Sequence, residues 1–509
     1  MRKYIRTLKA QYAVAVLAGA LLVGGGAAIF EQNAHAKEKV ASARLQVDET
    51  PVQREKQMVT SFSSVVKKVS PSVVKVYTTF KAQEGARPEM NQFFEDPMFR
   101  RFFGDQLRGG EGMRRSPMPK QTGLGSGVIV TKDGYVLTNN HVVENADEVK
   151  VQIGDRGDEY TAKVVGTDPK TDIALLKIDA KDKSFPAVTS ANSDQLQVGD
   201  VVLAVGNPFG IGQTVTMGIV SATGRATLGL EYEDFIQTDA AINMGNSGGA
   251  LVDAEGRLVG INTAILSRTG GNQGIGFAVP INLAGYVMDS LIQNGRVIRG
   301  FMGVNIQDVT PGLAEKFELK EREGALVSEV TPDSPAEEAG LKPGDVVLEF
   351  NGKPVRDSRN LKLSVAQVAP GKEVPVKISR DGKVEELNVK LKEFPQDKQL
   401  AKNSGNPADS GDVTDGITVD DITPEARQQF NIPRNLKGAL VLDVEPESPG
   451  YEAGLRPGDV IVEMNRNAVR TSEEAVKLSD GLKDDVLLRI WSRGGTRYVV
   501  LKNDGKKVG

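Results

Sequence analysis

The sequence contains no cysteine. Disulfide frameworks and thiolate metal sites are therefore excluded. The absence does not fix the compartment, because a chain of 509 residues can bury a core large enough to need no covalent staples. Histidine is almost missing as well: His35 and His141 are the two present, which argues against a zinc site and leads us to expect no metal. Aromatic residues make up 5% of the chain, with one tryptophan, against 55 glycines; that balance points to many turns and short strands. Neither sign of charge dominates. At a net −4 there is no basic footprint for nucleic acid. Apolar content of 39% with 26% charged residues is that of a soluble globular protein, and the length suits about three domains.

The one long uncharged apolar run lies at the start. A basic stretch from Met1 to Lys9 precedes Tyr12 to Phe30, and Ala34-His35-Ala36 has the small-x-small form of a signal-peptidase site. Residues 1–36 are expected to be an export signal; the alternative is a retained membrane anchor, since the run is nearly long enough to span a bilayer. Either reading places the rest of the chain outside the cytoplasm.

What the chain does have is Gly245-Asn246-Ser247-Gly248-Gly249. A serine between glycines can present its Oγ, and glycines let main-chain N–H groups converge on one point. The pattern fits an α/β-hydrolase elbow, a chymotrypsin-type peptidase or a plain glycine-rich turn. If His35 leaves with the signal, His141 is the remaining histidine, and it precedes Ser247. An α/β-hydrolase needs its histidine after the serine, so that reading fails. The order histidine, acid, serine is met by His141, Asp172 and Ser247.

From Gly123 onward short β-runs alternate with turns such as Asp133-Gly134 and Gly206-Asn207-Pro208. Such a rhythm is that of barrels or sandwiches rather than of a βαβ sheet. Leu283, Tyr286, Val287, Ser290 and Leu291 fall at helical spacing, so a helix should close the region near Asn294-Gly295. Residues 81–122 carry no strand pattern and include Phe93, Phe94, Phe99, Phe102 and Phe103. They are expected to form a long loop whose phenylalanines dock on this domain or a neighbouring subunit; a short buried helix is the alternative. Further on, Gly324-Ala325-Leu326-Val327 returns as Gly438-Ala439-Leu440-Val441, and Leu341-Lys342-Pro343-Gly344-Asp345 as Leu455-Arg456-Pro457-Gly458-Asp459. Two copies of one module follow, at 299–393 and 415–503, joined by a flexible linker over 394–414 that contains Asn403-Ser404-Gly405-Asn406-Pro407.

Thr138-Asn139-Asn140-His141-Val142-Val143, Thr171-Asp172-Ile173-Ala174-Leu175-Leu176-Lys177 and the Ser247 block resemble the three active-site blocks of the HtrA family. The entry strand Gly123-Leu124-Gly125-Ser126-Gly127-Val128-Ile129 is similar too, and the repeats look like PDZ domains. Two such repeats resemble the DegP/DegQ branch. The resemblance implies a mainly β protein: a chymotrypsin-like double β-barrel protease over 59–297, then two PDZ domains. It implies Ser247 as nucleophile, His141 as general base and then acid, and Asp172 as the residue holding the imidazole. Main-chain N–H groups of Gly245 and Ser247 would form the oxyanion hole, and no cofactor would be required. Ile242, Ala264 and Ile265, with Gly245 and Asn246, fall where the family binds substrate, and apolar walls would favour small aliphatic side chains before the cut bond.

Peptide ends should add as a strand to the first PDZ domain at Arg299-Gly300-Phe301-Met302-Gly303-Val304, and to the second at Gly416-Ile417-Thr418-Val419. Thr223 to Leu230 falls where the family has a sensor loop and reads as mobile, with Arg225 as a contact for regulation. The expected protein is a periplasmic serine endopeptidase that degrades unfolded or damaged envelope proteins, with chaperone capacity. Its partners would be those proteins and their C-terminal peptides, and it would assemble as trimers or multiples of trimers. A chaperone or scaffold with its protease kept off, and a membrane-anchored signalling protease, are the alternatives.

Overall fold

The computed structural model describes residues 44–51, 61–80, 121–154, 157–180, 183–207, 212–243, 245–265, 272–395, 412–414, 416–480, 482 and 484–502. The expected signal segment, the phenylalanine-rich stretch 81–120 and most of the linker lie outside these. The chain divides into two compact units, through Val297 and from Ile298.

In the first unit, β1 (Val73–Phe80), β2 (Gln121–Ile129), β3 (Tyr135–Asn139), β4 (Glu148–Ile153), β5 (Glu159–Asp168) and β6 (Ile173–Ile178) close into a barrel in the order β1-β2-β3-β6-β5-β4. The strands alternate, but the period is masked in the sequence because both faces are buried. In β6, Ala174, Leu176 and Ile178 fill the barrel interior while Ile173 and Leu175 enter the larger core behind it. The second barrel consists of β7 (Val201–Gly206), β8 (Thr214–Arg225), β9 (Phe235–Thr238), β10 (Ala250–Asp253), β11 (Leu258–Ile265) and β12 (Gly276–Pro280), closed by pairing of β11 with β12. Helix α1 (Ile281–Asn294) covers it with Ala284, Val287, Met288 and Leu291, and Gly295 caps its end through an N–H bond to Leu291 O. Two expected boundaries shift. The unit begins before residue 59, since Val47–Asp48 pair with Ser190–Ala191 and Leu45 packs on the core. Gln121 and Thr122 belong to β2 rather than to the preceding loop.

In the second unit the repeat folds twice. The first module has β13 (Gly300–Phe301), β14 (Val304–Asp308), β15 (Ala325–Val330), β16 (Val346–Phe350), helix α2 (Ser358–Ala366), β17 (Glu373–Arg380), β18 (Lys383–Lys390) and β19 (Lys392–Glu393). The second has β20 (Asp412–Thr414), β21 (Ile417–Asp421), β22 (Ala439–Val444), β23 (Val460–Met464), helix α3 (Ser472–Ser479), β24 (Val486–Ser492) and β25 (Gly495–Leu501). The copies share their capping chemistry: Asp357 and Thr471 cap α2 and α3, and Ser358 and Ser472 bond to Asp308 and Asp421. They also share a turn. Gly303 and Gly416 hold φ of 85° and 86°, where a Cβ would collide with Ser334 and Ser448 respectively.

The modules differ at one edge. In the first, β13 pairs with β19, and among the described residues β14 has β15 as its one partner strand, which leaves its other edge unpaired beside α2. In the second, β20 pairs antiparallel with β21, against α3, and the sequence between the two strands reads Asp415-Gly416. An Asp-Gly pair between strands is a strong hairpin signal, and the first module has Met302 there, buried in its core. The modules also pack together. Gln307 on β14 exchanges two bonds with the main chain of Tyr498 on β25, at 2.6 and 3.0 Å. Tyr498 meets Phe317 edge-on at 5.3 Å within a cluster holding Val309, Leu313, Leu326 and Leu487. Burial pushes the Tyr498 phenol well above its ordinary pKa.

Candidate active site

His141 stands on a single helical turn, Asn140–Val143, that follows β3. Its Nδ1 lies 2.7 Å from Asp172 Oδ2, and its main-chain N–H donates to Asp172 Oδ1 at 3.0 Å. A carboxylate oxygen accepts in such a pair, so Nδ1–H is the donor of this bond. Asp172 is fully buried, in the left-handed region at φ 59°. That conformation is uncommon outside glycine but tolerated by aspartate. It is held by donation to the Asp172 carbonyl from Asn139 Nδ2 at 2.9 Å and from Asn140 N–H at 3.1 Å.

Ser247 sits on the loop between β9 and β10, 4% exposed. Its Oγ donates to the Thr263 carbonyl at 3.1 Å. The structure thus joins His141 to Asp172 directly, while the Ser247 hydroxyl is turned to β11. The N–H groups of Gly245 and Ser247 donate to no acceptor among the described residues. Gly248 has φ 83°, and a Cβ there would lie 2.0 Å from Ser126 O, which explains why a glycine follows the serine.

Ile242 and Ile265 are both buried, and Ile242 Cδ1 lies 2.9 Å from where a Cβ on Gly276 would sit. Ala264 lies in β11 opposite Phe277. Asn246 is buried with its Oδ1 unpaired among the described residues. Met244 and residues 266–271 lie outside those described. Arg225 ends β8 and donates to Gln237 at 2.9 Å. The stretch read as a mobile loop is more ordered than expected. Thr223 to Arg225 are strand, and the N–H groups of Leu228 and Leu230 both bond to the buried Glu233 carboxylate. Carboxylate capture of successive N–H groups is a tertiary arrangement that glycine punctuation does not reveal.

At the first module, Gly300 and Phe301 pair with Glu393 and Lys392, and Met302 is buried. The Arg299 carbonyl accepts from Phe394 N–H, and Val304 starts the open-edged β14. The N–H groups of Met302 and Gly303 donate to no acceptor among the described residues. In the second module, Gly416 to Val419 lead into an edge that β20 already covers. Sequence reasoning passed over four polar groups around the triad positions: Ser126, Thr138, Asn139 and Thr263. All four are buried, and Asn139 Nδ2 also donates to Thr263 Oγ1 at 2.8 Å.

Residues 125–261 match the trypsin-like peptidase domain, and residues 300–391 and 440–491 match PDZ domains. A probable periplasmic serine endoprotease DegP-like of Chlamydia trachomatis serovar D is 41% identical over 88% of this chain and 90% of its own. One of the same description from Brucella melitensis is 40% identical over 96% of this chain and 95% of its own. Among solved structures, the HtrA-type protease AlgW with tripeptide is 45% identical, with a TM-score of 0.51, over 66% of this chain and 98% of that one. AlgW with decapeptide is 46% identical, with a TM-score of 0.50, over 66% of this chain and 100% of that one. A double-barrel peptidase core, two PDZ modules and this identity over most of both chains place the protein in the HtrA family, among the DegP-like periplasmic serine endoproteases.

Proposed function

We propose that His141, Asp172 and Ser247 form the catalytic triad, that Gly245 and Ser247 supply the oxyanion hole, and that the substrates are unfolded or damaged exported proteins. The double grip of Asp172 on His141, at 2.7 and 3.0 Å, is the observation that carries it, together with N–H groups of Gly245 and Ser247 that donate to no acceptor among the described residues. Ser247 Oγ rotates from Thr263 O to His141 Nε2 and attacks the scissile carbonyl as its proton passes to Nε2. The developing oxyanion meets the N–H groups of Gly245 and Ser247. The imidazolium, stabilised by Asp172, gives its proton to the leaving amine. Water then repeats the sequence on the acyl-enzyme. Ile242 and Ile265 give the specificity pocket apolar walls that suit small aliphatic side chains. Casein cleavage by the purified chain, abolished in Ser247→Ala with the fold intact, tests the assignment; residual cleavage by a pure Ser247→Ala sample would sink it.

Peptide ends bind the first PDZ module in this reading. Its β14 edge is unpaired among the described residues, and the Met302 and Gly303 N–H groups, without an acceptor there, would take a terminal carboxylate. The AlgW structures carry short peptides, which supports peptide binding here. Chaperone activity and assembly as trimers or their multiples complete the proposal; size-exclusion with light scattering, with and without unfolded substrate, tests both.

The Ser247 hydroxyl favours a regulated enzyme, since it donates to Thr263 O and must turn before it can react. In this second reading a peptide on the first module promotes the active form, with Arg225 taking part. Cleavage of a chromogenic substrate too short to reach the PDZ groove should then rise with added peptide, and Arg225→Ala should remove the rise. No acceleration at saturating peptide, with binding confirmed, excludes it.

A further inference from the structure

Ser126 lies on β2, in the first barrel, and is fully buried. Its Oγ lies 2.9 Å from the Asn207 N–H, which donates to it, and 2.6 Å from the Gly245 carbonyl. A main-chain N–H can only donate, so it occupies a lone pair of Oγ and leaves the hydroxyl proton for Gly245 O. The Ser126 N–H in turn donates to the Ser247 carbonyl at 2.8 Å. One residue of the first barrel therefore fixes the carbonyls of residues 245 and 247 on the second. Between those two carbonyls lies the N–H of Ser247, and immediately before them lies that of Gly245.

We propose that Ser126 is a positioning residue for catalysis, whose hydroxyl anchors Gly245 by its carbonyl and so fixes the glycine from which the first oxyanion-hole N–H projects. The proposal rests on the reading of Gly245 and Ser247 as the oxyanion-hole donors. Gly245 has φ 97°, and glycine turns between neighbouring conformations with little steric resistance. Geometry there must come from hydrogen bonds rather than from a side chain. Without the Ser126 hydroxyl the buried Gly245 carbonyl loses a partner, and a shift of the glycine toward another donor, which carries its own N–H with it, becomes favourable. The grip extends to the base as well. Thr138, three residues before His141, donates from Oγ1 to Ser126 O at 2.7 Å. Thr138, Ser126 and the Ser247 loop thus form one buried line between the histidine's strand and the nucleophile. The local sequence suits the task. A Cβ on Gly125 would lie 2.6 Å from Val142, and one on Gly127 would lie 2.7 Å from Val136. The strand is pressed into its own barrel on both sides of Ser126, which alone of the three reaches across to the second barrel.

The test uses the full chain and matched pairs that differ in the hydroxyl. Ser126→Ala should lower kcat about 10- to 100-fold with KM within about threefold, because the loss falls on the transition state. Phosphonylation of Ser247 by a fluorophosphonate should slow in parallel. The midpoint of the pH–rate profile should stay in place, since His141 and Asp172 are untouched; a general loosening of the site would move it. Ser126→Thr should keep activity within about fivefold of wild type, while the isosteric Ser126→Val should match Ser126→Ala. If circular dichroism shows Ser126→Ala unfolded, the Thr and Val pair decides. Equal rates in Thr and Val, or a Ser126→Ala kcat within about threefold of wild type, would overturn the proposal. Ser247→Ala serves as the control: activity there defeats the underlying triad reading, whereas a dead Ser247→Ala beside a wild-type Ser126→Ala defeats only the role of Ser126.

Discussion

Asp172 carries three burdens at once: a buried charge, a left-handed backbone and two bonds to His141. Asp172→Asn keeps the shape but presents an amide to Nδ1, which favours the wrong imidazole tautomer. Turnover should fall on the order of 10⁴-fold, as in triads of this kind; activity within tenfold of wild type would mean that another carboxylate is the third member. Rate should rise with pH through one ionisation, because the base must be neutral imidazole, and free histidine titrates at about 6.5. A flat profile from about pH 5 to 8, with chemistry limiting, would exclude His141 as base. The pairing of His141 with Asp172 was legible because the chemistry proposed for them with Ser247 demands particular residue types in a particular order and histidine is so scarce. Ser126, Thr138, Asn139 and Thr263 were not. Their roles depend on carbonyls and side chains brought close only by folding, as with Ser126 and Gly245, 119 positions apart.

The elements explain both what was readable and what was hidden. Turn residues and short apolar runs marked the strands, and the closing helix ends at Gly295 as its spacing suggested. Pairing partners were hidden, because side-chain alternation says which face is buried and not which strand lies alongside. β20 shows this: Asp415-Gly416 is a turn signal in the sequence, but the pairing of β20 with β21 covers the edge that was expected to take a peptide. Packing of the second unit offers a direct check. Tyr498 is 4% exposed and joins the two PDZ modules, so Tyr498→Ala should cost about 3 kcal/mol. Trp491 is the single tryptophan and is buried in the second module, so its fluorescence reports that module's unfolding. The urea midpoint of that signal should drop in Tyr498→Ala; an unchanged midpoint would mean that the module contact adds nothing to stability.

At the scale of the whole chain, one peptidase unit is followed by one unit that, among the described residues, has one unpaired strand edge, proposed to take a peptide, and one covered edge. A labelled peptide with an apolar C-terminus should therefore saturate at one site per chain in Ser247→Ala protein, and two equivalent sites would show that β20 does not close the second module. The account stands or falls on the nucleophile. Purified wild-type protein should be treated with a fluorophosphonate, digested and mapped by mass spectrometry. The expected result is a single adduct, on Ser247, absent after His141→Ala and accompanied by loss of casein cleavage. An adduct on any other residue, or cleavage that continues with Ser247 fully modified, would contradict it.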